Sequence, residues 1–248
     1  MEVGFKSDKG LLRANNEDAF FIMLKDKICI VADGVGGGNA GEIASRTAVS
    51  QIANYIKNNP VEVTDNKYRI ARYFKRCMDS ANSTVYDMSL EHEQNNGMAT
   101  TVVMVYMADG KAYVCNVGDS RAYLYREGQM VQMTEDHTYV NALVKAGILT
   151  EEEAAVDERK NVITKALGAE ERVEPDFFQV EVAEGDRILL CTDGLYDEVD
   201  ETEIIAALNE ENNMSDVCRR LIDTANANGG HDNITIVSLK VTKEDIHE

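Results

Sequence analysis

The spacing of apolar and polar positions changes along the chain, and the changes mark its elements. Short runs rich in Val, Ile, Tyr and Phe, closed by turn residues, predict strands at about 2–7, 18–25, 27–33, 99–108, 111–117, 121–126, 129–133, 177–183, 186–192 and 233–241. Between the third and fourth of these the period lengthens, predicting long helices at about 40–58 and 65–91, with shorter ones near 137–147, 201–209 and 215–227. In the first helix Ile43, Thr47, Ile52, Tyr55 and Ile56 fall near one face while Glu42, Arg46 and Lys57 point elsewhere, so it can lie on a sheet. Asp26-Lys27, Asp109-Gly110 and Glu127-Gly128 are two-residue connections, and Asp-Gly suits a type I′ hairpin because both residues tolerate positive φ. The sheets should therefore be largely antiparallel. Two long helices set between two blocks of strands do not fit a strictly alternating βαβ order; they fit an α+β fold of packed antiparallel sheets with helices outside.

Composition narrows the class. The 248 residues contain two prolines and no linker, repeat or like-charge run, so one domain over 1–248 is expected. The five cysteines are scattered, mostly within apolar runs, which suits reduced core thiols and no zinc site. No stretch approaches the ~20 apolar residues of a membrane span, and a cytoplasmic protein without membrane insertion is expected. The formal net charge of −19 opposes nucleic-acid binding, since the densest basic cluster, Arg69, Arg72, Lys75 and Arg76, reads as a solvated helix face. Acidity of this size can also mean carboxylates gathered around divalent cations.

The stretch CIVADGVGGGNAGE at 29–42 admits two readings. Gly36, Gly38 and Gly41 spell the dinucleotide-binding G-x-G-x-x-G, but the following helix leads into another helix rather than a parallel strand, so the βαβ unit does not close. The other reading takes Asp33 as a strand-end carboxylate. ICIVADGV at 28–35 is echoed by ILLCTDGL at 188–195, and Asp119 and Asp232 sit at further strand edges. Any one of these aspartates could be a turn former. Together they suit Mg²⁺ or Mn²⁺, hard cations that take oxygen ligands, with the glycine after Asp33 leaving the Gly34 carbonyl open to a metal. RANNEDAF adds Arg13, Glu17 and Asp18; the planar fork of arginine fits phosphate oxygens.

Taken in order, RANNEDAF, VADGVGGGNAGEIAS, GMATTVV, NVGDSRAYLY, LTEEEA, NVITKALG, CTDGLYDEV and GGHDNITIV resemble the motifs of the metal-dependent serine/threonine protein phosphatases, the PPM or type 2C family, over about residues 4–241. The compact bacterial members look nearest. The resemblance implies a four-layer α-β-β-α sandwich and hydrolysis of phosphoserine and phosphothreonine by a water bridging two Mn²⁺ or Mg²⁺ ions. By motif position Asp33 would bridge the ions, the Gly34 carbonyl would bind the first, and Asp193 and Asp232 the second. Glu17 and Asp18 would hold metal waters, Arg13 the substrate phosphate, and Asp119 a third ion. Residues 134–170 would form a flap beside the site. Phosphorylated proteins, a Ser/Thr kinase and its substrates are the implied partners, with a monomer as the default state. The chain departs from the family at Val35, where animal members carry histidine and bacterial ones commonly methionine, and at Gly38, where bacterial relatives often carry histidine, which leaves the proton donor between a metal-bound water and His137; His231 would only support Asp232. Val156-Asp157 stands where the flap of relatives has His-Pro. A phosphatase fold acting as a catalytically weak or inactive regulatory module is the alternative.

Overall fold

The computed structural model describes residues 1–62, 66–211 and 213–246. Its strands are β1 (Glu2–Asp8), β2 (Asp18–Met23), β3 (Ile28–Val35), β4 (Ala99–Thr100), β5 (Val102–Ala108), β6 (Lys111–Val117), β7 (Arg121–Arg126), β8 (Gln129–Gln132), β9 (Asp176–Glu181), β10 (Arg187–Cys191) and β11 (Ile234–Lys240). The helices are α1 (Ala40–Asn58), α2 (Lys67–Glu91), α3 (Tyr139–Lys145), α4 (Glu151–Val156), α5 (Asp193–Tyr196), α6 (Glu201–Glu210) and α7 (Met214–Asn228). One sheet runs β1-β11-β10-β7-β8, the other β2-β3-β5-β6-β9 with β4 paired to β3. Every pairing in both is antiparallel.

Strand alternation sorts the apolar side chains into three cores, and these define four layers. In β3, Ile28, Ile30 and Ala32 face α1 and α2, meeting Ala44, Ala48, Ile52, Phe74 and Met78. The intervening Cys29 and Val31 face the second sheet and pack with Val103, Val105, Ala122, Leu124, Leu190 and Val237. The far face of that sheet, with Leu189, Cys191 and Ile236, is covered by Ile204, Leu208, Val217 and Leu221 of α6 and α7. Each fully buried Val, Leu or Ile contributes about 1.5–3 kcal/mol. All five cysteines are free and buried in these layers.

Several elements depart from the pattern read off the chain. Asp109-Gly110 and Glu127-Gly128 both take positive φ, as a type I′ hairpin requires, but Asp26-Lys27 does not form a two-residue loop. A short 3-10 turn over Leu24–Asp26 closes on Lys27 at φ 53° instead. The run 99–108 breaks at Thr101, separating β4 from β5. The buried face of α1 is made by Ala44, Ala48, Val49, Ile52, Ala53 and Ile56, small residues that a search for large apolar side chains passes over. Asn66 caps α2 by accepting from the Tyr68 and Arg69 amides, and the expected start at residue 65 lies outside the described residues. The helices α4 and α5 were not anticipated. Among the described residues no helix is long and apolar enough to cross a membrane.

Candidate active site

The same alternation that builds the core delivers the carboxylates. Asp33 continues the parity of Cys29 and Val31, so it emerges on the inter-sheet face where β3 leaves the apolar core. Asp18 stands directly across from it in the β2–β3 pair and shares the parity of Phe20 and Ile22. The second sheet contributes Asp193, two residues past the end of β10, and Asp232, two before β11. Asp119 lies in the turn between β6 and β7, where the chain passes from one sheet to the other.

These groups act on one another. Burial first, then the charges of Asp18, Asp193, Asp119 and Asp232, push the Asp33 carboxyl well above the ordinary carboxylate range. Burial and Asp193 raise Asp18 to about 8, burial and Asp193 raise Asp119 to about 7, and burial and Asp232 raise Asp193 to about 6. Burial likewise raises Glu17. Like charges held together in a low-dielectric seam cannot all ionise unless a cation joins them. Two acceptors, Asp18 Oδ1 and Asp193 Oδ1, are buried without a hydrogen-bond partner, a costly state that a cation or its water would relieve. Among the described residues no three His, Cys, Asp or Glu side chains close by themselves into a metal cage. The donors present are carboxylate oxygens, the ligand type of Mg²⁺-like ions, which a few carboxylates anchor while the ion keeps its waters. The donor set therefore fits hard divalent cations.

Close backbone packing holds the seam. A Cβ on Gly34 would lie 2.0 Å from the Gly41 carbonyl oxygen, and one on Gly41 would lie 2.5 Å from Glu17 Oε2. The glycines of the loop thus seat the start of α1 against the end of β3, and with no parallel neighbour to β3 the dinucleotide reading fails. Thr101 explains the break between β4 and β5: its amide donates to the Asp33 carbonyl at 2.8 Å and its hydroxyl accepts from the Asp33 amide at 2.9 Å. Thr192 donates its hydroxyl to Asp18 Oδ2 at 3.0 Å and accepts from the Thr235 amide at 3.0 Å. Asn233 ties in the N-terminal loop, accepting from the Glu17 amide at 2.8 Å and donating to the Asn15 carbonyl at 2.9 Å. Sequence reading missed Thr101, Thr192 and Asn233; the adjacency of the last two to Asp193 and Asp232 was the available signal.

Arg13, about half exposed, reaches Asp232 Oδ2 through Nη2 at 2.6 Å, so it stands at the seam with its fork engaged by a carboxylate. The Tyr196 hydroxyl donates to the Asp119 carbonyl at 3.0 Å, while the Arg121 guanidinium lies 3.5 Å from the Tyr196 ring centroid and pairs with Asp136. His231 pairs with Glu198 at 2.6 Å, beside Asp232 in the chain. His137 is buried, and its Nδ1 accepts from the Gly118 amide at 3.0 Å. Its remaining proton therefore sits on Nε2, 3.2 Å from Asp176 Oδ2. Burial and Lys165 lower its pKa, so the ring is held neutral and offers no readily released proton. Residues 134–170 carry α3 and α4; the Thr138–Ile163 bridge closes the segment on itself and the Thr100–Leu167 bridge ties it to β4.

Known proteins resemble this chain over nearly its whole length. The profile described as Protein phosphatase 2C matches residues 13–236. The serine/threonine phosphatase stp of Listeria innocua is 37% identical over 240 residues, 96% of this chain and 94% of that protein. The protein phosphatase PhpP of Streptococcus pneumoniae is 33% identical over 99% of both chains. The catalytic domain of the serine threonine protein phosphatase PstP, solved in complex with two manganese ions, superposes with a TM-score of 0.85 at 33% identity, covering 98% of each chain.

Proposed function

Since the chain belongs to the protein phosphatase 2C family and is a protein-serine/threonine phosphatase, we propose that it cleaves phosphoserine and phosphothreonine by in-line attack of water at the seam between the two sheets. Its substrates are phosphoproteins. The observation carrying the mechanistic reading is the meeting of Asp18, Asp33, Asp119 and Asp193 from both sheets, each carboxyl raised by burial and its neighbours. Two Mn²⁺ or Mg²⁺ ions, held by Asp33, the Gly34 carbonyl, Asp193 and Asp232 with a third at Asp119, would supply Lewis acidity, making the attacking water acidic and neutralising phosphoryl charge.

The chain's own groups do the rest. Arg13 exchanges Asp232 for the substrate phosphate and orients it, its fork matching two phosphoryl oxygens. Glu17 and Asp18 would hold waters of those ions, and Thr192 fixes the Asp18 carboxyl for that role by donating its hydroxyl to it. With Val35 and Gly38 in place of histidines and His137 neutral, the leaving alkoxide takes its proton from water. Residues 1–248 act as one domain with 134–170 as its flap, working as a cytoplasmic monomer on a Ser/Thr kinase and its substrates; buried free cysteines suit that compartment.

Purified protein with Mn²⁺ is expected to release phosphate from a phosphothreonine peptide and from an aryl phosphate. Asp33→Asn or Asp193→Ala should lower kcat by more than the 10–100-fold that changes outside the ligand set cost. A wild-type protein that hydrolyses neither substrate and takes up no Mn²⁺ in calorimetry would instead be a regulatory binding module.

A further inference from the structure

A second site of opposite charge lies away from the seam. Between the C-terminal end of α1 and the first half of α2 is a cavity of about 330 Å³ whose lining includes Tyr55, Pro60, Arg69, Arg72, Tyr73 and Arg76. Arg69, Arg72 and Arg76 occupy one face of α2 at spacings of three and four residues, and all are exposed. Arg69 reaches Glu62 at 2.9 Å, while the guanidinium groups of Arg72 and Arg76 make no ion pair or hydrogen bond among the described residues. The floor is firm: the Tyr55 and Tyr73 rings meet edge to face at 5.7 Å, and the Tyr73 hydroxyl donates to the Asn59 carbonyl at 2.5 Å.

Like charges stacked on one helix face cost stability unless something anionic meets them. The need for such a surface follows from the rest of the molecule. At a net charge of −19 the chain repels anionic phosphoproteins, an effect felt over about 8 Å at physiological salt. A groove of guanidinium forks is the local exception, and its geometry favours carboxylates over a featureless anion.

We propose that this groove docks an acidic segment of the phosphoprotein substrate while the phosphorylated residue occupies the seam. The proposal takes the substrate class from the phosphatase reading, but the binding itself does not depend on catalysis. The 19-residue helix α1, about 28 Å long, begins at the glycine loop beside the seam and ends at the groove, so roughly its length separates the two sites. An extended chain covers about 3.3 Å per residue, so at least about eight residues must separate the acidic segment from the phosphorylated one.

The test uses phosphothreonine peptides joined to a six-residue Asp/Glu tract by Gly/Ser linkers of four or twelve residues. With the long linker, KM should fall about tenfold relative to a tract-free peptide, because the docked tract raises the local concentration of phosphothreonine. The short linker should give no gain. Arg69→Gln/Arg72→Gln/Arg76→Gln should erase the gain while leaving kcat/KM for an aryl phosphate unchanged. Lys6→Gln/Arg219→Gln/Arg220→Gln, which removes the same charge from the opposite side of the molecule, should retain it. An equal loss in both triple variants, or a gain independent of linker length, would overturn the proposal. Fluorescence anisotropy of the labelled, unphosphorylated tract separates docking from chemistry. Saturable binding lost only in the first triple variant supports docking even if no phosphate is released; absent binding, or capture of phosphatidylglycerol vesicles in place of the tract, refutes it.

Discussion

His137 shows how a single side chain divides between support and chemistry. It is 7% exposed, with Nδ1 accepting from Gly118 and Nε2 facing both Asp176 and Lys165. Burial, then Lys165, lowers its pKa below the unfolded value of about 6.5, so the folded state binds fewer protons there than the unfolded chain. The sign follows directly: its contribution to stability is complete above about pH 6.5 and is lost as pH falls toward the lowered value, with a slope of at most about 1.4 kcal/mol per pH unit. His137→Gln should therefore flatten the fall in urea midpoint between pH 7 and 5.5 relative to wild type. Equal slopes would show that the ring titrates in the fold as it does in the unfolded chain and restore it as a candidate acid. The aspartates of the seam were legible in the chain because each marks the edge of an apolar run beside a turn. The partners that hold them were not, since a hydroxyl such as Thr192 or an amide such as Asn233 shows its role only when distant strands meet.

Elements were legible to the degree that local chemistry set them. The hairpin at Asp109-Gly110 follows from residues that accept positive φ, whereas the split between β4 and β5 answers to Thr101 bonding a strand nearly seventy residues earlier in the chain. Helix α4 had a local signature that apolar periodicity passes over. Thr150 accepts from the Glu153 amide at 3.2 Å, and the Glu153 carboxylate accepts from the Thr150 amide at 2.9 Å, a capping box with little apolar face behind it. A helix this short and exposed takes much of its order from that cap. Thr150→Ala should cost about 1 kcal/mol locally. Amides 151–156 would then exchange with solvent about fivefold faster while the melting temperature stays within about 1 °C, because the element unfolds apart from the core. A cooperative drop in melting temperature would place α4 within the globally stable unit instead.

At the scale of the whole molecule, the seam couples the two halves of the sandwich. Asp18 and Asp33 belong to the sheet under α1 and α2; Asp193 and Asp232 belong to the sheet under α6 and α7. The apolar core between the sheets ends where these carboxylates begin, so in the absence of cations the edge of the sandwich carries mutual repulsion in place of packing. A cation shared across the seam would join the sheets and bind only the folded chain. Mn²⁺ at a hundredfold excess over its Kd should then add about 2.7 kcal/mol of stability. For a chain of this size that is a rise in melting temperature of roughly 5–10 °C. Asp193→Ala should abolish most of the rise because it removes one sheet's hold on the ion. Gln at Arg69, Arg72 and Arg76 should leave it intact, since that groove lies at the other end of α1. A shift in scanning calorimetry that survives Asp193→Ala would mean that the cation binds elsewhere and that the two sheets are held by their apolar interface alone.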